Sequence, residues 1–288
     1  MINDLIYLDS IIQRALEEDI GPGDLTTDAI IDPHATGKAA LLAKEQIILA
    51  GLPLFSMVFT FLDPELQFEY VYQDGATVKS GETICIVSGR LASILKAERT
   101  ALNFIQRMSG IATLTSEYVA NARPNKAKIL DTRKTVPGLR ALDKYSVRMG
   151  GGFNHRIGLF DGILIKDNHI AAAGSITKAV ELARANSPHT IKVEVEVETM
   201  FRVQEALDAG ADIILLDNMT IDKINQAVKV INGKVLVEVS GGVTLGNIRK
   251  IAEMGVDFIS IGALTHSAKA VDLSLEIVAQ DSPALEDK

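Results

Sequence analysis

Six apolar runs in the second half of the chain each end on residues that can do chemistry. Residues 128–130 lead into Asp131, Thr132, Arg133 and Lys134, and residues 162–165 into Lys166, Asp167, Asn168 and His169. Residues 193–197 carry Glu196, with Glu198 just beyond, and residues 212–216 stop at Asp217 and Asn218. Residues 235–239 stop at Ser240-Gly241-Gly242, and residues 258–261 lead into Gly262 and then His266. Between Asp131 and Asn168 stand seven basic residues (133, 134, 140, 144, 148, 156 and 166) against four Asp. In a chain of net charge -8 such a cluster predicts a pocket for a small anion, not a nucleic-acid track. Arg133 and Arg156 are the candidates for gripping it, because a planar guanidinium takes a carboxylate or phosphate in two parallel hydrogen bonds. The alternative is that one or both tie layers of the fold together through Asp131 or Asp161.

Lys192-Val-Glu194-Val-Glu196-Val-Glu198 alternates strictly, so as a strand it puts Lys192 and three Glu on one face and three Val on the other. If both faces are buried, the charged one looks into a core where unpaired carboxylates are expensive, and Lys192 is expected to offset one of them. Glu196 and Asp217 would then be a pair of oxygen ligands for Mg²⁺, which prefers one or two carboxylates plus substrate phosphates. A strand exposed on one face is the plain alternative. Ser240-Gly241-Gly242 and Gly262 put small residues where backbone N–H groups can cradle a phosphate. Gly150-Gly151-Gly152 is ambiguous between close approach to a ligand and a flexible loop.

Bringing these residues together requires a particular scaffold. Between the runs lie amphipathic stretches with helix-start signals at Ser175, Thr199, Thr220 and Thr244 and stop signals at Gly210, Gly233 and Gly255. Asp208-Ala-Gly-Ala-Asp-Ile-Ile-Leu-Leu-Asp217 and Glu253-Met-Gly-Val-Asp-Phe-Ile-Ser-Ile-Gly262 show the same unit of helix end, Gly turn, Asp and buried strand. Strands alternating with helices predict a parallel sheet, and six such units favour a closed barrel over an open doubly wound sheet. In a barrel the active site forms at the carboxyl ends of the strands, where the polar residues stand.

The N-terminal part reads differently. It predicts a helix over 8–18 broken by Gly21-Pro-Gly-Asp24, a buried helix over 46–62, short antiparallel strands at 67–72, 77–79 and 83–87, and a helix over 94–114. The tail is expected to be helical from 268 to 279 and frayed over 280–288. The chain thus divides into a small N-terminal domain over 1–107, joined by the tail 270–288, and a barrel over 108–269.

Composition narrows the class. With 288 residues, 47% hydrophobic and 23% charged, the chain is neither disordered nor fibrous. Lys plus Arg number 29 against 37 Asp plus Glu, which argues against nucleic acid as a partner. Cys85 alone allows no intrachain disulfide and points to a reducing compartment, the cytoplasm. The first ten residues lack a secretory start, and the longest uncharged run, 46–62, falls short of a membrane span.

Along nearly its whole length the chain resembles the quinolinate phosphoribosyltransferase family, also called nicotinate-nucleotide pyrophosphorylase (carboxylating). The resemblance is carried by Glu18-Asp-Ile-Gly-Pro-Gly-Asp-Leu-Thr-Thr27, Glu98-Arg-Thr-Ala-Leu-Asn-Phe104, Ser109-Gly-Ile-Ala-Thr113 and Asp131-Thr-Arg-Lys-Thr-Val-Pro-Gly-Leu-Arg140. It is strongest in Gly150-Gly-Gly-Phe-Asn-His-Arg-Ile-Gly-Leu159, then Asp161 and Ile165-Lys-Asp-Asn-His169. Glu194-Val-Glu196, Leu216-Asp-Asn218, Ser240-Gly-Gly242 and Leu264-Thr-His-Ser267 complete it, and the departures at Val136 and Val239 are apolar and disturb no role. The resemblance implies an α/β fold: an N-terminal α/β sandwich domain joined to an incomplete TIM-like α/β barrel of fewer than eight strands. It implies transfer of phosphoribose from phosphoribosyl pyrophosphate to quinolinate, with loss of CO₂, giving nicotinate mononucleotide in NAD synthesis. Carried over residue by residue, it gives Arg133, His155, Arg156 and Lys166 to the quinolinate carboxylates, with Arg99 supplied by the neighbouring subunit of a homodimer with shared active sites, possibly a higher oligomer. Lys134 would sit between the two substrates, Glu196 and Asp217 would serve the ribose and Mg²⁺, and Ser240, Gly241, Gly262 and His266 would hold phosphate.

Three rival readings compete. A barrel lyase would use Lys166 as a Schiff-base amine activated by burial among cations. A carrier domain would modify Lys79 in Asp74-Gly-Ala-Thr-Val-Lys-Ser-Gly81, although Lys79 precedes the Gly81 turn instead of standing at a hairpin tip. A paralogue within the family would act on another pyridine acid or serve metal transport.

Overall fold

The computed structural model describes residues 8–278, so the expectations for residues 1–7 of the start and for the frayed 280–288 lie outside the described residues. Helix α1, Leu8–Ile20, buries Leu8, Ile12 and Leu16, a single stripe at four-residue spacing. Helix α2, Leu25–Ile30, starts from Asp24, whose carboxylate accepts the N–H groups of Thr26 and Thr27. There follow β1 (Thr36–Ala43), β2 (Ile47–Ile48), α3 (Leu52–Leu62), β3 (Gln67–Tyr70), β4 (Thr77–Val78), β5 (Thr83–Arg90) and the long α4 (Leu91–Ala122). The helix expected over 46–62 is therefore only its second part. Ile47 and Ile48 pair antiparallel with β4, and Gly51, at φ 100°, turns the chain into α3, which has a proline in its first turn.

The chain continues through β6 (Lys128–Leu130), α5 (Arg140–Met149), β7 (Ile163–Ile165), α6 (Asp167–Ala173), α7 (Ile176–Asn186), β8 (Val193–Val197) and α8 (Met200–Asp208). It ends with β9 (Ile213–Asp217), α9 (Ile221–Ile231), β10 (Leu236–Ser240), α10 (Ile248–Glu253), β11 (Phe258–Ser260), α11 (Ala263–His266) and β12 (Leu273–Val278). Among the described residues no helix is long and apolar enough to cross a membrane.

The described residues group into two units, 8–114 with 141–150 and 268–278, and 115–140 with 151–267. The first is built on the antiparallel sheet β12-β1-β5-β3 over a core that includes Leu41, Phe55, Phe59 and Val87. Strand β12 corrects the expected helical tail. Leu273 and Leu275 are buried and alternate with Ser274 and Glu276, and the strand pairs with β1 from Leu273 opposite Ala43 to Val278 opposite Lys38. The Asp74 turn is structural: its carboxylate accepts the N–H groups of Gly51 and Leu52 at 2.8 and 3.0 Å and the Tyr145 hydroxyl at 2.7 Å. Burial pushes the Cys85 thiol up to about 12, which leaves it an inert core side chain.

In the second unit all six expected runs are strands, parallel, in the order β6-β11-β10-β9-β8-β7. A flat sheet of that size would hold its edges roughly 24 Å apart at about 4.8 Å per strand. One cavity nevertheless touches both Thr132, just past β6, and Leu164 of β7, so the sheet curls into an incomplete barrel. It is not closed, contrary to the expectation from counting units. Phe153 makes one parallel bridge to Leu130, but the chain then turns at 157–161, where Asp161 accepts the N–H groups of Ile157 and Gly158 at 2.7 and 2.9 Å, and no full strand fills the gap. Ser175, Thr199 and Thr220 start helices as expected, each accepting the N–H three residues on. Gly210, Gly233 and Gly255 follow helix ends at φ 77°, 73° and 80°. Thr244 does not start a helix. The Asn247 side chain accepts its N–H at 2.8 Å and donates to Gly242 O at 2.9 Å, folding 242–247 into a turn, so α10 begins only at Ile248.

Candidate functional site

Strand register decides which side chains meet. Glu196, Leu215, Glu238 and Phe258 are successive partners across β8, β9, β10 and β11, and Asp217, Ser240 and Ser260 form the next row toward the carboxyl ends. On β8 the opposite face, Val193, Val195 and Val197, is fully buried, and Glu194 is only 5% exposed. The strand is therefore covered on both sides, and the reading with one solvated face fails.

Apart from Phe258, these rows line a cavity of about 500 Å³ at the carboxyl ends of the strands. One wall carries the basic side chains: Arg133 and Lys134 after β6, His155 and Arg156 after the Phe153 bridge, and Lys166 after β7. The other carries Glu196, Asp217, Asn218, Glu238, Ser240, Gly241, Gly242 and Ser260, with Leu164 and Leu215 also in the lining. The cavity is polarised, basic on one side and acidic and small on the other. A larger cavity, about 640 Å³, lies at the opposite ends of the strands, around Lys128, Ile163, Lys192, Ile213 and Phe258, and shares His155, Arg156 and Glu238 with the first. Polar groups converge in the first, which is therefore the candidate site.

Arg156 is held in place by its own backbone and by one arm. Its N–H donates to His155 Nδ1 at 2.7 Å and its Nη1 to Gly162 O at 3.0 Å, while its buried Nε has no hydrogen-bond partner. Burial first, and then the neighbouring Arg133 guanidinium, lowers Arg156 below the usual arginine value. Two guanidinium groups crowded together with a spare buried donor call for an anion. Asp131 accepts the His155 N–H at 2.9 Å and the Asn154 side chain.

The acidic wall is organised by two ion-pair contacts: Lys166 pairs with Glu196, and His155 faces Glu194 at 3.2 Å. Lys166 is 42% exposed and tied to a carboxylate, so it is not the amine buried among cations that a Schiff-base lyase needs. Burial, and then the Glu196 carboxylate, raises Asp217 above the usual carboxylate value. Two carboxylates that disfavour each other, both with oxygen donors facing the cavity, fit a divalent cation such as Mg²⁺.

The small residues make room for close approach. Gly241 has φ 83°, and a Cβ there would lie 2.2 Å from Asn218 Oδ1 and 2.9 Å from the Asn218 backbone nitrogen. A Cβ on Gly262 would come 3.0 Å from Lys134 Cδ and 3.2 Å from the His266 ring. Gly262 and His266 therefore flank Lys134 at the cavity mouth without lining it, and Thr265 Oγ1 donates to Lys134 O at 2.8 Å. Arg99, exposed on the part of α4 that belongs to the first unit, is not part of the cavity. Lys144 and Arg148, counted in the basic cluster, sit on α5 in that unit as well. The reading by sequence missed Glu238, whose carboxyl is pushed up by burial and then by Glu194. Its signal was present: Val237-Glu238-Val239 repeats the pattern of Val193-Glu194-Val195.

Comparison with known proteins gives a consistent picture. The family model for the quinolinate phosphoribosyl transferase N-terminal domain matches residues 24–109, and that for the C-terminal domain matches residues 111–276. A probable nicotinate-nucleotide pyrophosphorylase [carboxylating] from Synechocystis is 45% identical over 276 residues, covering 95% of this chain and 93% of that protein. One from Bacillus subtilis is 44% identical over 272 residues, covering 94% of each. The solved structure of the nicotinate-nucleotide pyrophosphorylase from Francisella tularensis superposes with a TM-score of 0.92 at 44% identity, covering 96% of this chain and 99% of that one. With both domains matched and identity above two fifths along the chain, the protein belongs to the quinolinate phosphoribosyl transferase family.

Proposed function

We propose that the protein transfers phosphoribose from phosphoribosyl pyrophosphate to quinolinate with loss of CO₂, releasing pyrophosphate and forming nicotinate mononucleotide for NAD synthesis. The observation that carries the reading is the buried, partnerless Nε–H of Arg156 beside Arg133, on the basic wall of a cavity whose other wall holds Glu196 and Asp217. A dicarboxylate satisfies the first wall, and a ribose with its pyrophosphate and cation satisfies the second.

In this reading Arg133, Arg156 and Lys166 hold the two carboxylates and orient the pyridine nitrogen toward the ribose carbon. Lys134, at the mouth beside Gly262 and His266, neutralises charge between the substrates, and the backbone at Ser240-Gly241 and Gly262 receives phosphate. Glu196 and Asp217 would hold Mg²⁺, which supplies positive charge for the departing pyrophosphate. As the ribose carbon gains cationic character the ring nitrogen attacks, and its new positive charge stabilises the carbanion left when the adjacent carboxylate departs. Lys166 is then free to turn from Glu196 to a substrate carboxylate. The reading extends to a homodimer in which Arg99 comes from a second copy of the chain, working in the cytoplasm. Purified protein given quinolinate, phosphoribosyl pyrophosphate and Mg²⁺ should yield mononucleotide and CO₂ in equal amounts, and none when either substrate is omitted. Folded protein that makes neither product with all three present overturns the reading.

A further inference from the structure

Arg140 belongs to the basic cluster of the sequence, yet its side chain does not line the cavity. The guanidinium turns instead to two loops. Its Nε donates to Thr135 Oγ1 at 3.0 Å and its Nη1 to Ile157 O at 3.2 Å. Thr135 follows Arg133 and Lys134, and Ile157 follows His155 and Arg156, so one side chain bonds to both segments that form the basic wall. Local sequence builds this contact. Pro137 and Gly138 form the centre of a turn closed by the Leu139 N–H donating to Val136 O at 3.0 Å, with Gly138 at φ 83°. The turn carries the chain back, so that Arg140 reaches Thr135. Arg140 is also the first residue of α5, where the helix dipole disfavours a cation, and its two hydrogen bonds offset that placement.

Other contacts shape each segment. The Lys134 N–H donates to Thr132 Oγ1 at 3.0 Å and Lys134 O accepts from Thr265 Oγ1 at 2.8 Å, while Asp161 accepts the N–H groups of Ile157 and Gly158. Asp131 joins the two segments where they begin, accepting the His155 N–H at 2.9 Å. Arg140 joins them where they end. The need for such a tie is electrostatic. Burial lowers Arg156 most and the Arg133 guanidinium next, so the two segments bring like charges together before any anion arrives.

We propose that Arg140 is a positioning residue for the acceptor substrate: it braces the segment carrying Arg133 and Lys134 against the segment carrying His155 and Arg156, so that a dicarboxylate meets a preformed basic wall. Without the brace the substrate would itself have to draw the two segments together, and that cost would appear as weaker binding. The identity of the dicarboxylate rests on the quinolinate reading; the brace does not.

The test compares Arg140→Ala with the parent. KM for quinolinate should rise about 10- to 100-fold, while kcat and KM for phosphoribosyl pyrophosphate stay within about threefold. A parent-like KM for quinolinate, or an equal rise in both KM values, overturns the proposal. Salt separates a brace from the simple attraction of one more positive charge, because going from about 0.1 to 1 M shortens the screening length from about 10 to 3 Å. The fold-difference in KM should persist at the higher salt; its disappearance assigns Arg140 to long-range attraction and overturns the brace. Hydrogen exchange of the ligand-free proteins reads the brace with no substrate present. Amides of 131–139 and 154–162 should exchange at least about tenfold faster in Arg140→Ala, with those of β8, β9 and β10 unchanged. Unchanged exchange in both segments overturns the brace. If Arg140→Ala does not fold, Arg140→Gln, which is too short to span both acceptors, is measured in its place with the same expectations. A parent that does not turn over quinolinate, beside a variant that shows the exchange difference, refutes the substrate reading and leaves the brace standing.

Discussion

Replacing Arg156 by Lys keeps the charge and removes the geometry. The Lys ammonium cannot supply both the donor to Gly162 O, made now at 3.0 Å by Nη1, and the Nε–H that has no partner within the protein. A hydrogen bond to a charged acceptor contributes about 1.5 to 3 kcal/mol and one to a neutral carbonyl about 1 kcal/mol. The expected loss is about 2.5 to 4 kcal/mol, which is about 60- to 700-fold in kcat/KM for quinolinate. The assay is steady-state kinetics at saturating phosphoribosyl pyrophosphate, with thermal melting as the control for folding. The loss should appear with quinolinate as the varied substrate and leave KM for phosphoribosyl pyrophosphate nearly unchanged. A kcat/KM within fivefold of the parent, in a protein that melts normally, refutes the assignment of the spare Nε–H to a substrate carboxylate.

Asp217→Asn should cut kcat at least about 100-fold, as expected for losing several kcal/mol of charge stabilisation, while quinolinate binding measured by calorimetry stays largely intact. Because burial and Glu196 raise the Asp217 carboxyl, protons compete with the cation from a higher pH than at an ordinary Asp, so the Mg²⁺ needed for half-maximal rate should climb as pH falls; a flat requirement argues against this pair. Mixing inactive Arg99→Ala and Lys134→Ala proteins should restore activity through hybrid dimers with one intact site, and no recovery despite proven subunit exchange counts against sharing. In the first unit Arg90 binds Asp63 with two bonds of 2.7 Å and holds its carboxyl well below the usual range. Asp63→Asn should lower Tm by about 2 to 6 °C at pH 7. A lowered carboxyl contributes in full above its unfolded value, about pH 4, and less as pH falls below it, so the gap from the parent should narrow toward pH 3.

What was legible in the sequence is what local pattern encodes. Each barrel strand is a short apolar run bounded by a Gly or Asp turn, and Ser175, Thr199 and Thr220 act on N–H groups three residues away, so both signals are local. The tail was misread because Leu273, Leu275 and Ile277 alternate over too few residues to be told from a helix without the edge of β1 beside them. Barrel closure depends on whether two edges far apart in sequence meet, which counting strands does not reveal. The charge count over 131–168 mixed cavity cations with Lys144 and Arg148, because burial and neighbourhood are not local properties. Glu238 was overlooked for the same reason: one acid in a valine-rich run matters only when the curled sheet sets it opposite Glu194 and His155.

In the proposed reaction the basic wall receives two carboxylates at once. Arg133, Arg156 and Lys166 all face the cavity, and an acceptor with one carboxylate leaves part of that set desolvated and unmatched. A site with such unmet polar partners can reject an analogue by as much as about 10⁴-fold. The direct measurement is kcat/KM for quinolinate and for nicotinate on one preparation, with phosphoribosyl pyrophosphate and Mg²⁺ saturating. The expected ratio is at least about 10³ in favour of quinolinate; equal values, or a preference for nicotinate, would contradict a wall built for two carboxylates.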